Sequence, residues 1–212
     1  MMSPSKRQGQ CQGKPLPRCR HLVFVLGDQL DEHSTALADV DPATDIVLMA
    51  EVPEESRHVW SSKVRTAFFF AAMRHFAGAL EKRQLNVDYR KIGTHGFDSL
   101  VAVLSDAVRQ YRPQAIVVVE PGDWRVEQAL LAFGRAANVE LQIREDTHFL
   151  CSRRAFSDWA SGYKQLRLEF FYRMMRRRHD IMMDGSDPLQ GRWNFDAENR
   201  GAFSKAGPAN VP

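Results

Sequence analysis

Cysteine is scarce in this 212-residue chain, limited to Cys11, Cys19 and Cys151. An odd count without a CxxC pair, and with no second ligand pair at zinc-finger spacing, provides neither a disulfide framework nor a metal site. It points to a reducing, cytoplasmic compartment. No apolar run approaches the roughly 18 residues a membrane helix needs. The opening MMSPSKRQGQCQGKPLPRCR is basic but has no apolar stretch, so it is not a secretory signal. Also missing are a GxGxxG turn after the first strand, a Walker loop and a GxSxG elbow. Without a glycine-rich phosphate loop, a nucleotide-binding enzyme is disfavoured. The seven histidines share no face and show no HxxxH spacing.

What is present is the profile of a globular protein, with 44% apolar and 26% charged residues. The net charge of +3 conceals blocks: +5 over residues 1–20, −6 over 21–152, +6 over 153–178 and −2 over 179–212. An acidic body is therefore flanked by two basic segments. Such segments either attract nucleic acid by neutralising phosphates or serve as a solvated helix face and a disordered tail.

Strand patterns recur at His21–Leu26, Asp45–Ala50, Asn86–Ile92, Ala115–Val119 and Val139–Ile143. Helical patterns lie between most of them. Arg57–Lys82 carries the stripe Phe69, Met73, Phe76, Leu80; Phe97–Tyr111 carries Leu100, Leu104, Ala107 and Val108; Asp123–Ala137 carries Val126, Leu130 and Phe133. This alternation predicts an α/β fold with a five-stranded, parallel, doubly wound (Rossmann-like) sheet in the order 3-2-1-4-5. Beyond it, Phe156–Gly162 and Lys164–Met183 read as helices, the second with a Leu166, Phe170, Met174 stripe and an arginine cluster. The remainder, rich in Gly, Pro, Asp and Asn, reads as a linker. The expected organisation is a disordered basic tail over 1–20, an α/β domain over 21–150, a helical extension over 151–183 and the start of an interdomain linker over 184–212.

In such a sheet a ligand belongs at the strand carboxyl ends, where the order reverses between strands 1 and 4. Three loops converge there: Gly27-Asp28-Gln29-Leu30, the stretch Glu51 to Glu55, and Glu120-Pro121-Gly122-Asp123-Trp124-Arg125. Glu51 and Glu55 either accept hydrogen bonds from a heterocycle or form an exposed acidic loop at a helix start. The arginines Arg173, Arg176, Arg177 and Arg178 are read as a mainly structural face, with Asp196 and Glu198 as acidic partners and with weak, non-specific DNA binding at most.

Several segments resemble the deoxyribodipyrimidine photolyase-related family, the prokaryotic (6-4) photolyases and iron–sulfur bacterial cryptochromes. They are Leu26-Gly27-Asp28-Gln29-Leu30, the run Ala67 to Phe76, Glu120 to Val126, Glu169 to Arg177, and Gly191 to Arg200, in unbroken order. The resemblance implies an N-terminal antenna domain holding 6,7-dimethyl-8-ribityllumazine, for light-driven DNA repair or blue-light sensing. It implies a separate helical domain that binds FAD and a [4Fe–4S] cluster and receives the lesion. Carried onto this chain, the chromophore residues are Gly27, Asp28, Gln29, Glu51 and Glu55, with Phe69 and Trp124 as neighbours. The chain ends at Pro212, before any counterpart of the FAD and cluster residues. The expectation is thus a truncated, fragmentary or stand-alone antenna module that is not an active enzyme alone, with a missing or separate flavin domain as partner; the alternative is a non-enzymatic truncated remnant or protein-interaction module without chromophore.

Overall fold

Strand-forming runs and helical stripes alternate along the chain, and the computed structural model shows them closing into a single five-stranded parallel sheet. The structure describes residues 19–195 together with 201, 205 and 207. The expected tail as far as residue 18, and the expected arginine partners Asp196 and Glu198, lie outside the described residues. The chain divides into two compact units, one reaching Leu150 and the other starting at Cys151.

In the first unit the strands are β1 (His21–Phe24), β2 (Ile46–Ala50), β3 (Val87–Arg90), β4 (Ala115–Val119) and β5 (Glu140–Arg144). They lie in the order β3-β2-β1-β4-β5, with every neighbouring pair parallel. This is the order expected from the sequence. β1 is central, its Leu22 paired with Ile46 on one side and Ile116 on the other. Among the described residues this unit has four helices: α1 (Pro53–His58), α2 (Lys63–Lys82), α3 (Leu100–Tyr111) and α4 (Trp124–Ala137).

Side chains alternate across the sheet, as strand geometry demands. Leu22, Phe24, Leu48, Ile116 and Val118 face α3 and α4, meeting Leu104, Ala107 and Leu130. Val23, Val47, Met49, Val117 and Val119 face α2, meeting Met73, Phe76 and Leu80. Both faces are thus covered, which explains why all five residues of β4 are buried and apolar. The expected helix from Arg57 to Lys82 is in fact two. Pro53 opens α1, and α2 restarts where Ser62 Oγ accepts the Arg65 N–H at 3.2 Å.

The second unit contains α5 (Arg153–Ser161) and α6 (Leu168–His179). α6 is shorter than the helix expected over Lys164–Met183, because Asp180 adopts a left-handed conformation at φ 53° and ends it. The expected stripe is also corrected. Leu166 precedes the helix and is exposed, Phe170 is exposed, and the buried residue of α6 is Arg176. Its guanidinium donates to the carbonyls of Ile181, at 3.0 Å, and Met182, so it holds the chain that follows the helix. That chain was expected as an extended segment or linker, and its described residues include local structure. It forms a hairpin of β6 (Met183–Asp184) and β7 (Asp187–Pro188), with Gly185 at a positive φ in its turn.

Two buried carboxylates clamp β2. At its amino end Asp45 accepts from Arg20 Nε at 2.9 Å and from the backbone N–H groups of His21 and Asp41 at 3.0 and 2.9 Å. At its carboxyl end Glu51 has a fully buried side chain. It accepts from Arg74 Nε and Nη2 at 2.7 and 2.8 Å, from the Tyr89 hydroxyl at 2.6 Å and from the Ile92 N–H at 3.1 Å. Burial raises the Glu51 carboxyl, but the bonds from Arg74, Tyr89 and Ile92 outweigh it and hold the group below the ordinary carboxylate range. Tyr89 moves the other way: its hydroxyl is pushed well above the usual phenol range by burial and by the adjacent Glu51.

Replacing Glu51 by Ala leaves Tyr89, Ile92 and Arg74 without their acceptor. The expected cost is about 3 kcal/mol, the low end for breaking a buried pair because half of Arg74 can rehydrate. Urea unfolding measures it. The pH dependence has a defined sign. Because the folded Glu51 pKa lies below the unfolded value, its contribution is fully present above an unfolded pKa of about 4.3 and lost as pH falls through the folded value. Glu51→Gln should therefore show a shallower loss of stability on acidification than the unsubstituted chain.

Candidate functional site

The carboxyl ends of β1 and β2 and the loop before α4 enclose a cleft of about 360 Å³. That is at the small end of the roughly 300–1,000 Å³ typical of ligand pockets. It sits where the strand order reverses, between β1 and β4. Leu26, Gly27 and Asp28 come from the end of β1, and Ala50, Glu51 and Val52 from the end of β2. α1 supplies Glu55 and Ser56, and α2 supplies Arg65, Thr66, Phe69, Phe70 and Met73. Pro121, Gly122, Asp123 and Val126 close the side toward α4.

Five of the seven residues expected at the site line this cleft: Gly27, Asp28, Glu51, Glu55 and Phe69. The other two do not. Gln29 turns away and donates from Nε2 to the carbonyls of Val119 and Glu120 at 3.3 and 2.9 Å, tying the β1 loop to the end of β4. Trp124 is 73% exposed outside the cleft; its neighbours Asp123 and Val126 line it instead. Glu51 lines the cleft, but its carboxylate is engaged by Arg74, Tyr89 and Ile92, so it shapes the wall. Ser56, Ser61, Arg65, Thr66 and Met73 also line it, with the Ser56 and Thr66 hydroxyls donating to the carbonyls of Pro53 and Ser62 at 3.1 and 3.3 Å. Of these only Met73 carried a sequence signal, as part of the α2 stripe. The small polar residues lie in stretches with no distinguishing period.

Gly27 sets the width of the floor. A Cβ there would stand 2.7 Å from Phe69 Cε1 and 3.0 Å from Met73 Sδ, so a side chain is excluded unless the ring moves. Phe69 is 41% exposed and presents its ring to the cleft, an unusual state for a Phe on a core-facing helix. The same cleft carries acidic groups. A Cβ on Gly122 would lie 3.6 Å from Asp28 Oδ2, which places this carboxylate beside the loop that leads into α4. Asp28 keeps solvent contact through the cleft mouth, yet partial burial raises its carboxyl above the usual range. The nearby charges of Glu55, Asp123 and Asp146 raise it further. Glu55 Oε1 accepts from Arg125 Nη2 at 2.9 Å, a link between α1 and α4 that no sequence spacing reveals.

The arrangement suits a small planar ligand with hydroxyl or amide groups. The lining offers a ring face and apolar side chains together with carboxylates that fix orientation. Among the described residues no three His, Cys, Asp or Glu side chains gather as a metal site. Among the same residues no helix is long and apolar enough to cross a membrane.

The second unit accounts for the arginine cluster. Arg173, Arg176 and Arg177 stand over the Trp193 ring at 5.4, 5.2 and 4.6 Å, and Arg173 also pairs with Glu169. The suggested acidic partners Asp196 and Glu198 lie outside the described residues, and among those described the cluster meets Trp193 and Glu169. Phe171 packs edge-on to Phe156 at 5.2 Å and against Trp159 at 5.0 Å.

Gly27→Ala tests the floor of the cleft. Because the Phe69 ring is partly exposed and can yield, folded stability should fall by about 1 kcal/mol or less. The fluorine resonance of 4-fluorophenylalanine at position 69 should shift clearly. An unmoved resonance would show that the ring does not bear on Gly27.

The family model described as deoxyribodipyrimidine photo-lyase-related protein matches residues 23–212. The chain is 42% identical over 180 residues to a (6-4) photolyase of Agrobacterium fabrum, covering 84% of this chain and 36% of that protein. It is 22% identical over 189 residues to the uncharacterized protein R852 of Acanthamoeba polyphaga mimivirus, covering 85% of this chain and 94% of the viral one. The chain thus spans about a third of the length of its bacterial relative. Over nearly its whole described length, the chain belongs to the deoxyribodipyrimidine photolyase-related protein family.

Proposed function

We propose that the first unit is an antenna module, which holds a chromophore of the 6,7-dimethyl-8-ribityllumazine type for a photolyase- or cryptochrome-related, light-driven system. The carrying observation is the cleft itself. At the switch point of the sheet it gathers the exposed ring of Phe69 with the carboxylates of Asp28 and Glu55 and with Ser56, Ser61 and Thr66. A lumazine ring would stack on Phe69, and its ring N–H and ribityl hydroxyls would donate to the carboxylates. When bound, the lumazine would absorb light and pass the excitation on. The residues of this chain would keep it dry and fixed in orientation.

On this reading FAD and the [4Fe–4S] cluster belong to the helical domain of a complete relative, and this chain alone binds neither. The work is done in the cytoplasm. α6 is a structural element, and any duplex DNA binding through it is weak and salt-dependent. A second reading, a free-standing module that works without a flavin domain, is favoured by one observation: the same region makes up nearly the whole of the viral relative.

Titrating the purified chain with 6,7-dimethyl-8-ribityllumazine, followed by calorimetry and near-ultraviolet absorbance, tests the proposal. One equivalent should bind. Glu55→Ala removes an acceptor at the cleft and should weaken binding by about 1–3 kcal/mol, roughly five- to a hundredfold. The absence of any saturable heat or spectral shift would contradict the proposal.

A further inference from the structure

We infer that this cleft discriminates by charge and excludes the phosphorylated form of its ligand, with Asp28 and Asp123 as the specificity-determining residues. The inference rests on the antenna reading and deepens it. In parallel sheets the switch-point crevice ordinarily receives phosphates, which settle on free backbone N–H groups at the N-terminus of the following helix. α4 has 14 residues and begins at this crevice, but its N-terminus is already taken. Asp123 is its cap, with Oδ1 accepting the Arg125 N–H at 2.7 Å. The positive end of the helix dipole therefore meets a carboxylate of the chain itself.

The guanidinium closest to that helix start is engaged as well. Arg125 Nη2 donates to Glu55 Oε1 at 2.9 Å and lies 3.3 Å from Asp123 Oδ2, while Nη1 lies 3.5 Å from Glu54 Oε1. Asp28 stands on the other side of Gly122, on the floor of the cleft. Its carboxyl is raised, with burial the largest cause, and the neighbouring Glu55 and Asp123 register there as repulsion. Around this end of the cleft, the carboxylates of Asp28, Glu54, Glu55 and Asp123 outnumber the guanidiniums of Arg125 and Arg65. Arg65 is exposed on α2, across the cleft from α4. The buried Glu51 pairs with Arg74 and adds no net charge.

A phosphate entering here would carry up to two negative charges into a partly desolvated, net-acidic concavity, beside an α4 N-terminus already capped by Asp123. An uncharged polyol would instead donate hydroxyl hydrogens to the same carboxylates. The site thus has the polarity to retain the free ribityl compound and to reject the phosphorylated flavins and nucleotides that switch-point crevices otherwise accept.

The test is a matched pair of ligands titrated into the intact chain: 6,7-dimethyl-8-ribityllumazine and its ribityl 5′-phosphate. The unphosphorylated compound should bind at least about tenfold more tightly at low salt. The gap should narrow at high salt, which a purely steric exclusion would not do. It should shrink several-fold in Asp28→Asn and further in Asp28→Asn/Asp123→Asn; Asn is isosteric with Asp and itself a good helix cap, so these variants should keep the fold. Equal affinities, or a gap that neither salt nor the Asn variants alter, would overturn the inference while the antenna reading stands. Failure of the unphosphorylated compound to bind the unsubstituted chain and both variants would overturn both.

Discussion

The buried carboxylate of Glu51 is the constraint on which the first unit depends. One side chain at the end of β2 holds Arg74 of α2, Tyr89 of β3 and the backbone of Ile92. Its own backbone carbonyl lies 3.1 Å from His95 Nε2. A charge placed in a protein interior is tolerated only when it is paired and its acceptors are satisfied, and here each oxygen has at least two donors or a donor and an ion partner. The consequence reaches the cleft. Phe69, Phe70 and Met73 stand within the turn or so of α2 that precedes Arg74, so the pairing that fixes Arg74 also fixes the aromatic wall. Asp45 does the corresponding work at the other end of β2, where strand starts rather than cleft walls are aligned.

The fold was legible because its signals are local. β4 reads as a buried strand from five successive apolar residues, and its bounds match the reading. Regular spacing of such runs with helical stripes between them leaves few topologies once right-handed crossovers are required. The position of the cleft followed from that order alone, together with Gly27, Asp28 and the loop before α4. The roles of individual residues were less legible. Glu51 at a strand end looks like a ligand carboxylate, and its partners 23, 38 and 41 residues away meet it only in the folded chain. Gln29 and Trp124 flank true cleft residues by one position, and at a turn one position reverses the direction of a side chain. In the second unit a stripe of large apolar residues suggested a buried face, whereas Arg176 is buried because two backbone carbonyls receive it.

The two relatives frame what such a unit can be part of. In the Agrobacterium (6-4) photolyase the matched region is 36% of the protein, and in the viral protein it is 94%. Within this chain, the two apolar layers on either side of the sheet give the first unit a core of its own.

The account centres on a single place, the cleft between the ends of β1, β2 and β4. A crystal structure of the chain grown with 6,7-dimethyl-8-ribityllumazine tests it most directly. The account predicts ring density stacked on Phe69, between Gly27 and Gly122, with a ring or ribityl donor within hydrogen-bond distance of Asp28 or Glu55 and the Glu51–Arg74 pair unchanged. Chromophore density elsewhere on the molecule, or a cleft filled only by ordered water at saturating ligand, would contradict it.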